Sequence, residues 1–113
     1  MTHHVTTMLQ TYPKDIGSID QEKLAECIEA CFECAQTCTA CADVCAVTGN
    51  VLSRQTGNNV ETTRAALEAC RTACRACAEE CEQHAQMHEH CRVCAEACRG
   101  CETACAELLA SLS

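Results

Sequence analysis

With 113 residues the chain is of a size for one domain, and its net charge of −8 excludes the basic surface that nucleic acid requires. No apolar stretch approaches the ~20 residues of a membrane span, so no membrane partner is expected. Leu, Ile, Val and Phe number only 17, below the ~20% that a packed chain normally carries, so the core must draw on Ala and on 15 cysteines, which bury as small hydrophobes.

Residues 1–19 read as an N-terminal segment ahead of a cysteine-rich helical domain over 20–113. Val5, Met8, Leu9 and Tyr12 share one face of a short helix ending before Pro13, the only proline. His3, His4 and Met8 form a small metal-ligand patch there, although a disordered tail is the simpler reading. No basic region followed by an apolar run opens the chain, so no secretory signal is read and a cytoplasmic protein with reduced thiols is expected. The odd cysteine count argues the same way against a fully paired disulfide framework.

Ser18 or Asp20 is placed to cap the first long helix, expected over about 20–56. Its cysteines, Cys27, Cys31, Cys34, Cys38, Cys41 and Cys45, are spaced four, three, four, three, four. Residues at those steps stack on one helix face, a seam that is normally Leu, Ile or Val and here is thiol. Leu24 and Leu52 extend it in phase, so the helix is expected to continue through Gly49-Asn50 and to stop at Gly57-Asn58-Asn59, a glycine C-cap followed by an Asn N-cap. The second helix is expected over about 60–86. Leu67, Cys70, Cys74, Cys77 and Cys81 form its seam, which runs on in phase to His84 and His88. The third is expected over about 89–112, with Cys91, Cys94, Cys98, Cys101 and Cys105 leading to Leu108 and Leu112. No Gly or Pro marks the boundary between these two. The clue is a phase slip, because His88, Cys91 and Cys94 are spaced three and three. Gly100, inside the last helix, is read as a place for close helix packing.

The fold class is therefore all-α, a cysteine-lined helical bundle with three main helices per chain. A first helix of about 50 Å outreaches its neighbours. Its uncovered part calls for the third helix, the N-terminal segment or another copy of the chain, so a homo-oligomer is expected.

Thiolates favour Cu(I), Zn(II) and iron–sulfur clusters. A structural zinc site uses four ligands and leaves most of the cysteines unexplained. Iron–sulfur runs wrap one cluster with closely spaced loop cysteines, whereas a helix spreads its seam over many turns. Cu(I) accepts two or three sulfurs, and one Cu(I) per thiolate is neutral, so many ions fit a core without large buried charge. Linked C-x-x-C pairs (Cys31–Cys34, Cys38–Cys41, Cys74–Cys77, Cys91–Cys94 and Cys98–Cys101) make a metal-loaded bundle the stronger reading over cysteine as mere core filler, a space that Ala would fill without oxidation risk. His84, Met87, His88 and His90 gather between the second and third helices, where imidazole and thioether suit copper entry; the bland alternative is a polar helix end. The expected ligands are thus all 15 cysteines with His84 and His88 accessory. The expected function is cytoplasmic storage of multiple Cu(I) ions without catalysis, with copper donor or acceptor proteins as candidate partners. The alternatives are a zinc or iron–sulfur module, or a thiol redox protein with a pKa lowered by Arg71, Arg75, Arg92 or Arg99.

The seams, the stretch Glu-Cys-Ala-Gln-Thr-Cys-Thr-Ala-Cys-Ala-Asp at 33–43 and the stretch Met-His-Glu-His-Cys-Arg-Val-Cys-Ala-Glu-Ala-Cys-Arg at 87–99 resemble the cysteine-rich four-helix-bundle copper storage proteins in their cytosolic bacterial form. The resemblance covers the chain from about Asp20 onward. It implies Cu(I) held by core thiolates, His and Met near the bundle mouth, and tetrameric assembly. The sequence departs from the pattern in having three cysteine runs, as though one helical hairpin were absent near Cys45 and two family helices were fused. A four-helix core completed by oligomerisation, in a dimer or tetramer, is the corresponding expectation.

Overall fold

The computed structural model describes Thr7 and residues 19–38, 40–54 and 59–112. The short N-terminal helix, His3, His4, Met8, Ser18 and the Gly57-Asn58 stop lie outside the described residues.

Four helices make up the described bundle: α1 Gln21–Thr37, α2 Ala42–Ser53, α3 Val60–Glu82 and α4 Glu89–Ser111. Of the two candidate caps, Asp20 opens α1; its carboxylate accepts from the backbone N–H of Glu22 and of Lys23 at 3.0 and 3.1 Å. Helix α2 does run through Gly49-Asn50, as the apolar spacing requires.

The expected single helix over 20–56 is corrected: it breaks between Thr37 and Ala42. The Thr37 hydroxyl turns back to the Glu33 carbonyl at 2.9 Å, a bond that competes with helix continuation. Cys38 then leaves the helix in extended backbone, with its N–H still on the Cys34 carbonyl at 2.9 Å. The reason for the reversal is tertiary. In one straight helix Cys34 and Cys41 would lie ~10 Å apart along the axis; folded back, their sulfurs are 3.4 Å apart. The count of three main helices therefore becomes four, and the four-helix core closes within one chain rather than between chains.

Successive helices are antiparallel. Phe32 of α1 meets Gly49 of α2, Thr48 of α2 meets Ala66 of α3, Cys77 of α3 meets Cys94 of α4, and Cys27 of α1 meets Cys105 of α4. Gly49 lets the two helices approach closely, because a Cβ would sit 2.7 Å from Phe32 Cε1 and the ring would have to move. Gly100 plays no such part: it is exposed, and a Cβ there would meet nothing within 4 Å. The close packing expected of it is not found within the chain.

The expected second helix, 60–86, ends earlier, at Glu82. The turn 83–88 is closed by the N–H groups of Met87 and His88 on the His84 carbonyl, both at 3.0 Å. The phase slip at His88 does mark a new helix, for His88 is the residue that precedes α4. One end of the core is hydrocarbon: Leu24, Ile28, Leu52, Leu67 and Leu108 are fully buried. Between that plug and the 83–88 turn the core is lined mainly with sulfur.

Candidate metal centre

All 15 cysteines are free thiols, and every one except Cys81 and Cys91 is buried. Each seam points inward because it occupies the face its helix turns to the other three. Ala, the commonest companion, keeps the helices close. The core is thin enough for sulfurs on diagonal helices to touch: Cys31 to Cys70 at 3.9 Å, Cys34 to Cys74 at 3.8 Å, and Cys41 to Cys98 at 3.6 Å.

The sulfurs form a continuous column. At the plugged end Cys27 and Cys105 are 3.7 Å apart. Above them Cys31, Cys70 and Cys101 make a triangle with sides of 3.9, 3.6 and 3.7 Å. Cys45 bridges upward, 3.7 Å from Cys70 and 3.4 Å from Cys74. Cys34 then joins Cys74, Cys41 and Cys98. At the top, Cys38 contacts Cys98 at 3.4 Å and Cys94 at 2.7 Å, and Cys94 lies 3.8 Å from Cys77. Four overlapping quartets have all their sulfurs within 4.8 Å of one another: Cys31/Cys70/Cys101/Cys105, Cys34/Cys45/Cys74/Cys101, Cys34/Cys38/Cys41/Cys98 and Cys38/Cys77/Cys94/Cys98.

The electrostatics follow from thiols donating to thiols. Cys27 is drawn down to about 5 by its hydrogen-bonding contacts with Cys105 and Cys31, against the cost of its burial. Cys34 and Cys70, each in contact with several other cysteines, are also held low by those contacts. Most of the others are pushed up: Cys38 to about 11 by burial, Cys98 to about 11 chiefly by its contact with Cys34, and Cys77 upward by burial. Close-packed thiols of this kind suit soft cations, each of which releases protons as it enters.

Beyond the α1–α2 turn the α3–α4 hairpin carries the half-buried Cys81 and Cys91. His84, Met87, His88 and His90 are exposed on and beside the 83–88 turn, and the His88 and His90 rings stand 5.5 Å apart. His84 and His88 are thus not a continuation of the α3 seam. They lie at the end of the bundle opposite the hydrocarbon plug. Two of the four candidate redox cations are engaged by surface carboxylates: Arg99 binds Glu82 and Glu102, each at 2.8 Å, and Arg92 binds Glu89 and Glu96. Among the described residues, every sulfur quartet uses cysteines that spacing alone singles out. What spacing could not supply was the grouping, which joins residues as far apart in sequence as Cys31 and Cys105.

A family model for copper storage proteins matches residues 39–110. The chain belongs to the copper storage protein family. Among solved structures, it is similar to the Streptomyces lividans copper storage protein Ccsp loaded with 10 copper equivalents. That match has 52% identity and a TM-score of 0.92, and covers 96% of this chain and 99% of that one. A histidine-to-alanine variant of the same protein matches at 51% identity and a TM-score of 0.82, over 86% of this chain and 100% of that one. The S. lividans cytosolic copper storage protein with five coppers matches at 52% identity and a TM-score of 0.80, again over 86% of this chain. A search of curated proteins found no match. Because this copper storage protein spans nearly the whole of its relative, the supposed missing hairpin is corrected as well: α1 and α2 are themselves the hairpin that the sequence seemed to lack.

Proposed function

We propose that this copper storage protein holds multiple Cu(I) ions in the cytoplasm, bound by the thiolates of its 15 cysteines, with no catalytic step. The observation that carries the reading is the unbroken sulfur column. Contacts of 3.4–3.9 Å link sulfurs from all four helices, so neighbouring ions can share ligands. One Cu(I) per thiolate leaves the column uncharged, whereas repeated dications, each held by four thiolates, would bury growing negative charge. The capacity expected from this balance is roughly one ion per thiol. The cytosolic description of the S. lividans relative supports a cytoplasmic site of action.

His84 and His88 serve as accessory ligands where ions arrive or leave. Their exposure beside Cys81 and Cys91, at the end of the core opposite the Leu and Ile plug, supports that role. A copper donor or acceptor protein would meet the chain there. The thiol surroundings favour storage over a redox centre, since the acidity of Cys27 comes from other thiols rather than a guanidinium. We further propose self-association as a homo-oligomer. Val47 is 59% exposed, and with Val44, Ala66 and Ala69 it forms an apolar patch on the α2–α3 face that a second copy can cover.

X-ray absorption at the copper edge of the loaded, reduced protein tests the chemistry. A Cu(I) edge with sulfur nearest neighbours is expected. Nitrogen-dominated coordination, or a Cu(II) edge under anaerobic conditions, would contradict it.

A further inference from the structure

The Cys34/Cys38/Cys41/Cys98 quartet is built differently from the rest of the column. Two of its members flank the break between α1 and α2. Cys38 lies in extended backbone just after α1, and Cys41 in irregular backbone just before α2. Together they present a C-x-x-C pair from a turn rather than from a helix face. Five of the six sulfur separations are 3.9, 3.4, 3.8, 3.4 and 3.6 Å, for Cys34–Cys38, Cys34–Cys41, Cys34–Cys98, Cys38–Cys98 and Cys41–Cys98. The sixth, Cys38–Cys41, is within 4.8 Å. A metal bound to four thiolates at about 2.3 Å places its sulfurs about 3.8 Å apart, at the corners of a tetrahedron. The quartet already has that outline.

From this geometry we infer that the turn between α1 and α2 is also a closed tetrathiolate site for one thiophilic divalent cation of the Zn(II) class, occupied when Cu(I) is absent. Binding converts four thiols and one M(II) into a tetrathiolate complex and four released protons, leaving a net charge of −2. That buried charge argues for a single such site per chain. The turn is the place for it because Cys38 and Cys41 can adjust their backbone around an ion. In the Cys31/Cys70/Cys101/Cys105 quartet every ligand is fixed on a helix and fully buried. In the Cys38/Cys77/Cys94/Cys98 quartet the 2.7 Å contact between Cys38 and Cys94 is shorter than a tetrahedral edge. A dication at the turn would also pin α1 and α2 to α4 through Cys98, fixing the four-helix arrangement before copper loading.

The test is anaerobic titration of the reduced full chain with Co(II), whose ligand-field bands report tetrahedral thiolate coordination. It is run on the wild type and on the variants Cys41→Ser and Cys105→Ser. Cys41 belongs to the turn quartet alone, and Cys105 only to the quartet near the plug. The wild type and Cys105→Ser are expected to take up one Co(II) with tetrahedral bands, and Cys41→Ser to bind it at least tenfold more weakly. Equal losses in the two variants, or a six-coordinate spectrum in the wild type, would overturn the inference. A second measurement does not depend on the variants folding. With one equivalent of Zn(II) on the wild type, alkylation mapped by mass spectrometry is expected to spare Cys34, Cys38, Cys41 and Cys98 first, and uniform protection would overturn the inference. Cu(I) uptake measured on the same preparations separates failure of this site from failure of the storage reading.

Discussion

Cysteine does two jobs in this chain, and the two pull its protons in different directions. As a core residue it is stable when neutral, and burial holds Cys38 near 11 and pushes Cys77 up from the ordinary thiol value of 9.0. As a ligand it must lose that proton. The first job sets the stability of the metal-free bundle. A thiol whose folded pKa is raised stabilises the fold fully below the unfolded value, and that contribution is lost as pH rises through the folded value. Cys38 and Cys98, both near 11, therefore predict that denaturant unfolding of the metal-free protein becomes easier between pH 9 and about 11. Cys27 has the opposite sign, since its contribution is present above the unfolded value and fades as pH falls through about 5. Because raised thiols predominate, a stability that climbs from pH 9 to 11 would contradict this account. At the residue scale the sequence was informative. Spacing alone put the cysteines on inward faces, and buried positions such as Leu24, Leu52, Leu67 and Leu108 extend the seams as expected. The helical seam does not continue to His84, although that residue falls in phase with Cys81, and phase does not reveal that α3 ends at Glu82.

At the scale of the element, the lesson is what periodicity reports. The seam passes through Cys34, Cys38, Cys41 and Cys45 without a change of step, yet the chain reverses between Thr37 and Ala42. Periodicity records which side of a segment is buried. Here the turn keeps the same sulfurs facing the same core, so the reversal left no trace in the spacing. The break before α4 was legible because His88, Cys91 and Cys94 do slip. Glycine separates the two kinds of helix contact in a testable way. Gly49→Ala gains up to about 1 kcal/mol in helix propensity, but its Cβ would run into Phe32, and overpacking costs about 1–3 kcal/mol. A net loss of stability is expected, relieved in part by Phe32→Leu. Gly100→Ala meets nothing in the chain and is expected to gain about 1 kcal/mol. Thermal denaturation of the two metal-free variants checks both signs. If Gly49→Ala proved as stabilising as Gly100→Ala, the Phe32 contact would not be what fixes the α1–α2 hairpin.

At the scale of the whole molecule, the bundle is asymmetric along its axis. Aliphatic side chains close one end, and His84, Met87, His88 and His90 surround the other. Since each chain closes its own four-helix core, assembly is not needed to complete the store, and self-association becomes a matter of the outer faces. Val47→Lys places a charge on the exposed apolar α2–α3 patch. It is expected to lower the oligomeric state seen by analytical ultracentrifugation while leaving copper capacity per chain unchanged. An unaltered sedimentation profile would contradict the proposed self-association through this face. The sequence pointed to a bundle of this chemistry but not to its closure within one chain, because closure depends on the hidden reversal at Cys38–Cys41. The central claim, that a continuous column of thiols stores many Cu(I) ions, is tested most directly by anaerobic titration of the reduced protein with Cu(I) against a chromophoric chelator, counting ions retained per chain. Retention on the order of ten or more is predicted from ligand sharing along the column; retention of only one or two would mean a discrete site and would contradict storage.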